Sequence, residues 1–329
     1  MNKQVFKLRI SSFSFPSPNS SFIEIIRKHI PIHSVNNEQS CTTNPYINCS
    51  TMEQIEITTS ADYSFTYCNW TDCSSFEAGA IIFRDKTSSS LNINQCTFTH
   101  CISTNTNYFL SGGAINAYNV YSVSVSSTSF ILCKCTVWSG GGISMTTIHH
   151  QPYLDDCDFI SCFAADDGAG VHIWNSSAAD ELFCKNCRFI YCCIPNDATI
   201  TNTPTGGGII EWSNYVMMRC TNMLCFHNEG TYGGGYATTH ECGPSDCLLA
   251  FCFFHKNTGT FGNDVYFHSF PSGSPALFCF STAKEKRIGF RRTGEWDSTD
   301  ADWLPPATII IYFFDYPAST KYQDLKEYI

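Results

Sequence analysis

The chain has 329 residues, a net charge of −10, 43% apolar residues and 15% charged residues, the last well below the usual quarter. The negative charge argues against nucleic-acid binding, because phosphate binding needs a basic face. One short basic cluster stands near the C-terminus and is interpreted as a solvated patch, with a specific anion site as the alternative. Its members are Lys284, Lys286, Arg287, Arg291 and Arg292.

Neither a membrane span nor a leader is predicted. No stretch reaches the roughly 18 apolar residues that a spanning helix needs. The most apolar run, Thr308 to Phe314, has the length of a strand. The first fifteen residues, MNKQVFKLRISSFSF, have no continuous apolar region, so they do not read as a signal peptide. These patterns leave the compartment open.

Residues 1–45 precede the repeats and are predicted to be an N-terminal cap. Ser21 and Glu24 have capping-box spacing ahead of the run IIRKHI, which predicts a short helix.

From Cys68 onwards the chain repeats one pattern, an aromatic residue between two cysteines. It begins as Cys68-x-Trp70-x-x-Cys73 and ends with Phe254. In the sixth copy, Cys220 and Cys225 keep the spacing and Asn222 takes the aromatic slot. The aromatic slots are Trp70, Phe98, Phe130, Phe159, Phe189, Asn222 and Phe254.

A second pattern, glycines followed by an aliphatic or aromatic residue, alternates with the first. Examples are Gly112-Gly113-Ala114-Ile115 and Gly140-Gly141-Gly142-Ile143. A period of about 30 residues with short β-branched runs fits one coil of a β-solenoid, in which each unit packs on its neighbours. We therefore predict an all-β, parallel β-helix of about seven coils over residues 46–268, and a C-terminal cap over residues 269–329.

These two patterns resemble the Pmp-like repeats of chlamydial polymorphic membrane proteins and their protist relatives, which pair GGA[ILV] with FxxN. Residues Gly112 to Ile115 match the first motif and Phe254-His255-Lys256-Asn257 the second, whereas the other copies mostly have cysteine in place of asparagine. The resemblance covers about residues 60–268. It implies a right-handed parallel β-helix that acts in adhesion or surface display.

Cysteine is the commonest residue of the two slots that flank the aromatic. Stacked coils would place these thiols in two columns, about 4.8 Å apart. The favoured interpretation is a small apolar core residue, with disulfides or a metal column as alternatives. Five cysteines outside the columns are better disulfide candidates: Cys41, Cys49, Cys242, Cys247 and Cys279.

Acidic side chains could catalyse polysaccharide cleavage, a reaction that needs two carboxylates about 5 to 9.5 Å apart. Repeat alignment instead places Asp155 over Lys185 and Asp158 over Arg188, which predicts exposed ion pairs. Asp166 and Asp167 are expected to support a bend. Glu211 aligns with inward-facing Met145 and Ile173, which favours a slip of the register over a buried carboxylate. His172 is expected to face solvent. No catalytic residue, metal ligand or cofactor is assigned, and an enzyme is disfavoured but not excluded.

The best binding candidates lie three residues after the aliphatic position. Tyr118, Trp174 and Trp212 would lie in register with Thr146 and face outward. Exposed aromatic side chains in a row hold sugar rings or anchor a protein, and the alternative is that these residues only cover a bend or pack under a long loop. We therefore predict a non-catalytic surface or secreted protein whose partner is a glycan or a host-surface protein. A polysaccharide lyase or hydrolase and a purely structural repeat protein are the alternatives.

Overall fold

The computed structural model describes most of the repeat region and parts of its C-terminal flank. The predicted N-terminal cap and its helix lie outside the described residues. All the described residues belong to one compact unit, Val35–Asp315. They are residues 46–47, 50–51, 53–104, 112–175, 181–194, 206–213, 217–238, 247–267, 276–281, 288–292, 295–299 and 311–315.

The fold class predicted from the repeats is confirmed. The described residues are all-β, without a helix, and their parallel strands stack as a β-solenoid of about six turns, close to the predicted seven. One coil shows the plan: strands Ile143–Ile148, Tyr153–Asp155, Asp158–Ile160 and Phe163–Ala164 follow one another. We call them the first, second, third and fourth strands of a coil.

The strand bounds follow this plan along the chain. First strands are Ile55–Ile57, Ile81–Asn94, Ile115–Ser126, Ile143–Ile148, Val171–Asn175, Ile209–Ser213, Tyr236–Thr238, Val265–Phe267 and Ile288–Arg292; the second and third of these run on through the second strand. Other second strands are Tyr46–Ile47, Tyr63–Thr66, Tyr153–Asp155, Glu181–Lys185, Met217–Thr221, Cys247–His255, Ala276–Ser281 and Ile311–Asp315. Of these, Cys247–His255 and Ala276–Ser281 run on through the third strand. Third strands are Ser50–Thr51, Asn69–Thr71, Thr97–Thr99, Ser129–Ile131, Asp158–Ile160, Arg188–Ile190 and Leu224–Phe226. Fourth strands are Ser74–Ser75, Ile102–Ser103, Lys134–Cys135, Phe163–Ala164, Glu229–Tyr232 and Thr258–Phe261. Glu295–Thr299 pairs antiparallel with Ile288–Arg292.

The aromatic slots stack through the core. Rings of neighbouring coils lie nearly parallel, with centroids 4.6, 4.9, 4.8 and 4.9 Å apart, the spacing of paired strands. Each stacked pair adds about 0.5 to 1.5 kcal/mol beyond the area that it buries. The stack therefore holds the coils in register. Its members, all fully buried, are Trp70, Phe98, Phe130, Phe159 and Phe189.

The bends of each coil differ in how they are made. Gly140 and Gly233 have φ of 73° and 63°, as predicted for the glycine pattern. The corners before and after the third strand use other residues: Asp156 has φ of 54° and Ser161 has φ of 51°. Each corner N–H donates to a carbonyl of the next coil, as Asp156 does to Lys185 at 2.9 Å. These ladder bonds offset the left-handed conformation, which costs a non-glycine residue roughly 1 to 2 kcal/mol.

The predicted alignment of the sixth coil is wrong. Cys225, rather than Asn222, pairs with Phe189 and Phe254 and so occupies the aromatic slot. Asn222 is a corner residue with φ of 53°. The register therefore shifts by three residues, which places Met223 in the first cysteine slot and Asn228 in the second. A cysteine at the expected spacing had concealed the shift.

The slot cysteines are buried free thiols that donate hydrogen bonds to main-chain carbonyls. Cys162 Sγ lies 3.5 Å from the carbonyl of Phe130 in the preceding coil, and Cys192 Sγ lies 3.4 Å from that of Phe159. Asn228 Nδ2 makes the equivalent bond to Phe189 at 3.0 Å. The thiol thus has the role of an asparagine amide as well as filling space. Sixteen described cysteines are free, including Cys279, which was one of the five disulfide candidates.

Candidate functional site

The register of the predicted aromatic column is present in the structure. Tyr118 pairs with Thr146, Thr146 with Trp174, and Trp174 with Trp212 on successive first strands. The side chains of Tyr118 and Trp174 are half-buried, and that of Thr146 is buried. The side chain of Trp212 lies outside the described part of the chain. The column therefore presents two described aromatic side chains that are only partly open to solvent.

A polar row runs beside this column on the same outward face. Asn116, Ser144 and His172 pair in register two residues before the column, and all three are buried. Ser144 Oγ lies 3.3 Å from Nδ1 of His172. Neither amide atom of Asn116 nor Nε2 of His172 has a hydrogen-bond partner among the described residues. The polar groups of this row thus point away from the core but are covered from solvent.

The expectation that His172 faces solvent is wrong. Its side chain points away from the solenoid core, yet it is only 3% exposed. Burial lowers the pKa of the imidazole to about 3, so the ring is neutral at physiological pH. Strand alternation predicts which face a residue occupies, but it does not predict what covers that face.

The two acidic side chains expected to form ion pairs with the next coil differ in their partners. Both predicted registers, Asp155 with Lys185 and Asp158 with Arg188, are confirmed. Only the second makes an ion pair, through Nε and Nη2 of Arg188, and Asp158 is buried rather than exposed as expected. Asp155 accepts hydrogen bonds from Tyr153 and Asn186 instead, each at 2.9 Å. The strongest candidates for glycosidic cleavage are therefore engaged with their neighbours.

Two further acidic residues are poorly placed for catalysis because their side chains are buried. Asp166 and Asp167 stand in the expected bend, but both carboxyl groups are fully buried. Burial and the charge of Asp166 raise the pKa of Asp167 well above its usual value. Glu211 pairs with Ile173, so the register slip predicted at this residue does not occur. Its side chain lies outside the described part.

An aromatic surface cluster that the repeat alignment missed lies on the outward side of the third strands. We call Tyr191, Phe226, His227, Phe253 and His255 the aromatic strip. Tyr191 stacks on His227 with centroids 5.0 Å apart, and Phe226 stacks on His255 at 5.1 Å. Phe253 lies parallel to His255 at 6.1 Å. The five rings thus form one contiguous group across three coils.

The strip is partly open to solvent and weakly charged. Tyr191 is 38% exposed, and the other four side chains are half-buried. Burial and then the nearby Lys256 lower the pKa of both histidines, that of His255 to about 4. Both rings are therefore neutral at physiological pH, which makes the strip an apolar surface with polar ring nitrogens.

A sequence signal for the strip existed one residue after each aromatic slot. The in-register side chains at that position are Thr71, Thr99, Ile131, Ile160, Ile190, Phe226 and His255. They change from polar to aliphatic and then aromatic along the solenoid. The misaligned sixth coil hid this trend, because Phe226 and His227 fell outside the assumed slots.

No family model, curated protein or solved structure matches the chain significantly. In the described part of the chain, no helix is long and apolar enough to cross a membrane. The same residues contain no group of three or more His, Cys, Asp or Glu side chains placed to hold a metal ion.

Proposed function

We propose that this protein is a non-catalytic β-solenoid, secreted or displayed at a surface, that binds a partner through outward-facing aromatic side chains. The observation that carries the proposal is the aromatic strip, with Tyr191 at its exposed end. Stacked rings offer a large, rigid contact area at little cost in side-chain entropy, and such residues dominate the energy of protein interfaces. An adhesion role agrees with the resemblance of the repeats to Pmp-like proteins.

The arrangement of the rings favours a protein partner for the strip. Within it the rings cover one another's faces, since Tyr191 stacks on His227 and Phe226 on His255. Rings whose faces are already occupied by one another suit the apolar core of a protein interface better than they suit a row of sugar rings.

Glycan recognition at Tyr118, Trp174 and Trp212 is the second candidate. Their shared register supports it, because a glycan chain along the solenoid would meet Trp174 and Trp212 on neighbouring coils and Tyr118 beyond the intervening Thr146. The polysaccharide-cleaving alternative has weaker support, since Asp158 is held by Arg188.

The test compares three variants of the full chain on a glycan array and on immobilised collagen, fibronectin and laminin. A Tyr191→Ala/Phe226→Ala variant removes two rings of the strip, and a Trp174→Ala/Trp212→Ala variant removes two from the column. Phe76→Ala is the matched control, because Phe76 is 58% exposed and lies outside both groups. Circular dichroism checks that each variant keeps its fold.

We expect binding to a matrix protein that falls at least tenfold in the strip variant and is unchanged in the Phe76 control. Binding to a glycan that is lost only in the column variant supports the second candidate instead. If the wild-type chain binds nothing on either surface, or if all three variants bind as the wild type does, the proposal is wrong.

A further inference from the structure

Two histidines of the aromatic strip lie next to each other on adjacent coils. The imidazole centroids of His227 and His255 are 6.2 Å apart, with an angle of 76° between the rings. Imidazole nitrogen binds Zn²⁺ at about 2.0 to 2.1 Å, so two rings on one ion have centroids roughly 4.5 to 6.5 Å apart. The centroid separation of the pair therefore falls within the range of two imidazoles that share a metal ion.

One nitrogen atom of the pair is left for a ligand by its protein neighbours. Nδ1 of His255 is buried without a hydrogen-bond partner among the described residues. A buried polar atom without a partner is uncommon in a folded protein and needs an explanation. The lowered pKa values keep both rings neutral at pH 7, and neutral imidazole is the form that binds metals.

We propose that His227 and His255 form an open binding site for a divalent late transition metal such as Ni²⁺, Cu²⁺ or Zn²⁺. Imidazole suits these ions, whereas Mg²⁺ and Ca²⁺ prefer oxygen ligands. Two protein ligands leave coordination positions for water or for a group supplied by a partner. The site lies within the aromatic strip, but its affinity for metal does not depend on the strip binding any partner.

Lys256 shapes the affinity of this site. Its ammonium group is close enough to lower the pKa of both imidazoles, so it also opposes a bound cation. A metal ion must be accommodated against this charge, and the long, flexible lysine stem permits the ammonium to move away. Replacing Lys256 by methionine keeps the stem and removes the charge.

The test is calorimetric titration of the full, reduced chain with Ni²⁺, which does not oxidise thiols readily. We expect one site, with affinity falling roughly tenfold or more in His227→Gln and in His255→Gln. Affinity should rise several-fold in Lys256→Met. His100→Gln is the matched control, because His100 is an exposed histidine bonded to Asp72 elsewhere on the solenoid.

Electron paramagnetic resonance with substoichiometric Cu²⁺, on chain whose accessible thiols have been alkylated so that they cannot reduce the ion, supplies a second readout. Splitting from two nitrogen ligands is expected in the wild type, and from fewer in either histidine variant. The proposal is overturned if Ni²⁺ binds neither variant more weakly than the wild type, if His100→Gln loses as much affinity, or if the Cu²⁺ spectrum shows sulfur ligands. A chain that binds Ni²⁺ but no matrix protein or glycan would retain the metal site and refute the partner proposal.

Discussion

Gly142 lies directly against the ring of Phe159, so the glycine pattern and the aromatic pattern meet across the core. A Cβ built on Gly142 would be 2.8 Å from Cδ1 of Phe159 and 2.7 Å from the carbonyl oxygen of Gly170. Gly170 and Phe189 repeat the relationship one coil later, at 2.7 Å. In these coils, and at Gly235 against Phe254, the glycine before the first strand leaves room for the ring of the aromatic slot.

The first prediction concerns this contact. Gly142→Ala should lower the free energy of unfolding by about 1 to 3 kcal/mol, because the added methyl group meets both a packed ring and a backbone oxygen. The control is Ala114→Gly, at the same position one coil earlier, which removes a methyl group and should cost about 1 kcal/mol or less. Urea unfolding followed by circular dichroism measures both. Equal stabilities of Gly142→Ala and wild type would show that the ring is not packed as described.

A second prediction follows from the thiol hydrogen bonds. Cys162→Ala should cost about 1 kcal/mol or somewhat more, since it leaves the carbonyl of Phe130 without this donor and empties part of the core. Cys162→Asn should cost less, because Asn228 and Asn257 already occupy this column and donate the same bond. Urea unfolding under reducing conditions compares the two. A larger loss in the asparagine variant would mean that the cysteine acts by its size alone.

The third prediction is a dependence of stability on pH through His172. Its pKa is about 3 in the folded chain, below the usual 6.5, so the unfolded chain takes up a proton first as pH falls. The neutral histidine therefore contributes stability above pH 6.5 that is lost progressively between pH 6.5 and 3, on the order of a few kcal/mol.

A His172→Asn variant should lose less stability than the wild type over that interval, because asparagine does not titrate and Asn116 already stands in this row. Unfolding free energies at pH 7, 6, 5 and 4 give the comparison, with His100→Asn as the exposed control. Parallel curves for wild type and His172→Asn would contradict a buried, neutral imidazole.

The fourth prediction concerns the ion pair between coils. Arg188→Leu should lower stability by about 3 to 5 kcal/mol at pH 7, because it leaves the buried carboxylate of Asp158 unpaired. Burial already raises the pKa of Asp158 even beside Arg188, so the loss should shrink as pH falls and the carboxyl group is protonated.

The double variant Asp158→Leu/Arg188→Leu should recover most of that stability, since Leu224 is tolerated at the same position in the next coil. Thermal unfolding at pH 7 and pH 4 tests both steps. An Arg188→Leu variant as stable as the double variant at pH 7 would show that the pair is of little consequence.

The architecture was predictable because its determinants are local and repeated. Phe130, Phe159 and Phe189 recur at nearly constant spacing, and a parallel stack follows from that period. The sixth coil was misread because Cys220 and Cys225 reproduce the spacing of the two cysteine slots, although Cys225 occupies the aromatic slot. Burial of His172 was not predicted for a different reason. The alternation of side chains along its strand shows which face the residue occupies, but it contains no information about what covers that face.

The aromatic strip escaped prediction because it is formed between coils that differ. Tyr191 and His227 come together only when the correct register of the sixth coil is known. The column of Tyr118 and Trp174 was found because it lies close to the glycine pattern, where the alignment was secure. Site prediction thus depended on the accuracy of a single register.

The left-handed corners have a consequence for how the surface of this solenoid can change. Tyr67, His100, Leu132, Asn186 and Lys256 have nearly the same φ, between 52° and 57°, although their side chains differ widely. None of the five is buried. Because the backbone ladder holds each corner, the chemistry displayed there can be exchanged one residue at a time while the stacked core stays unaltered. New binding specificities can therefore arise on this scaffold by point substitution, with no new loop and no repacking.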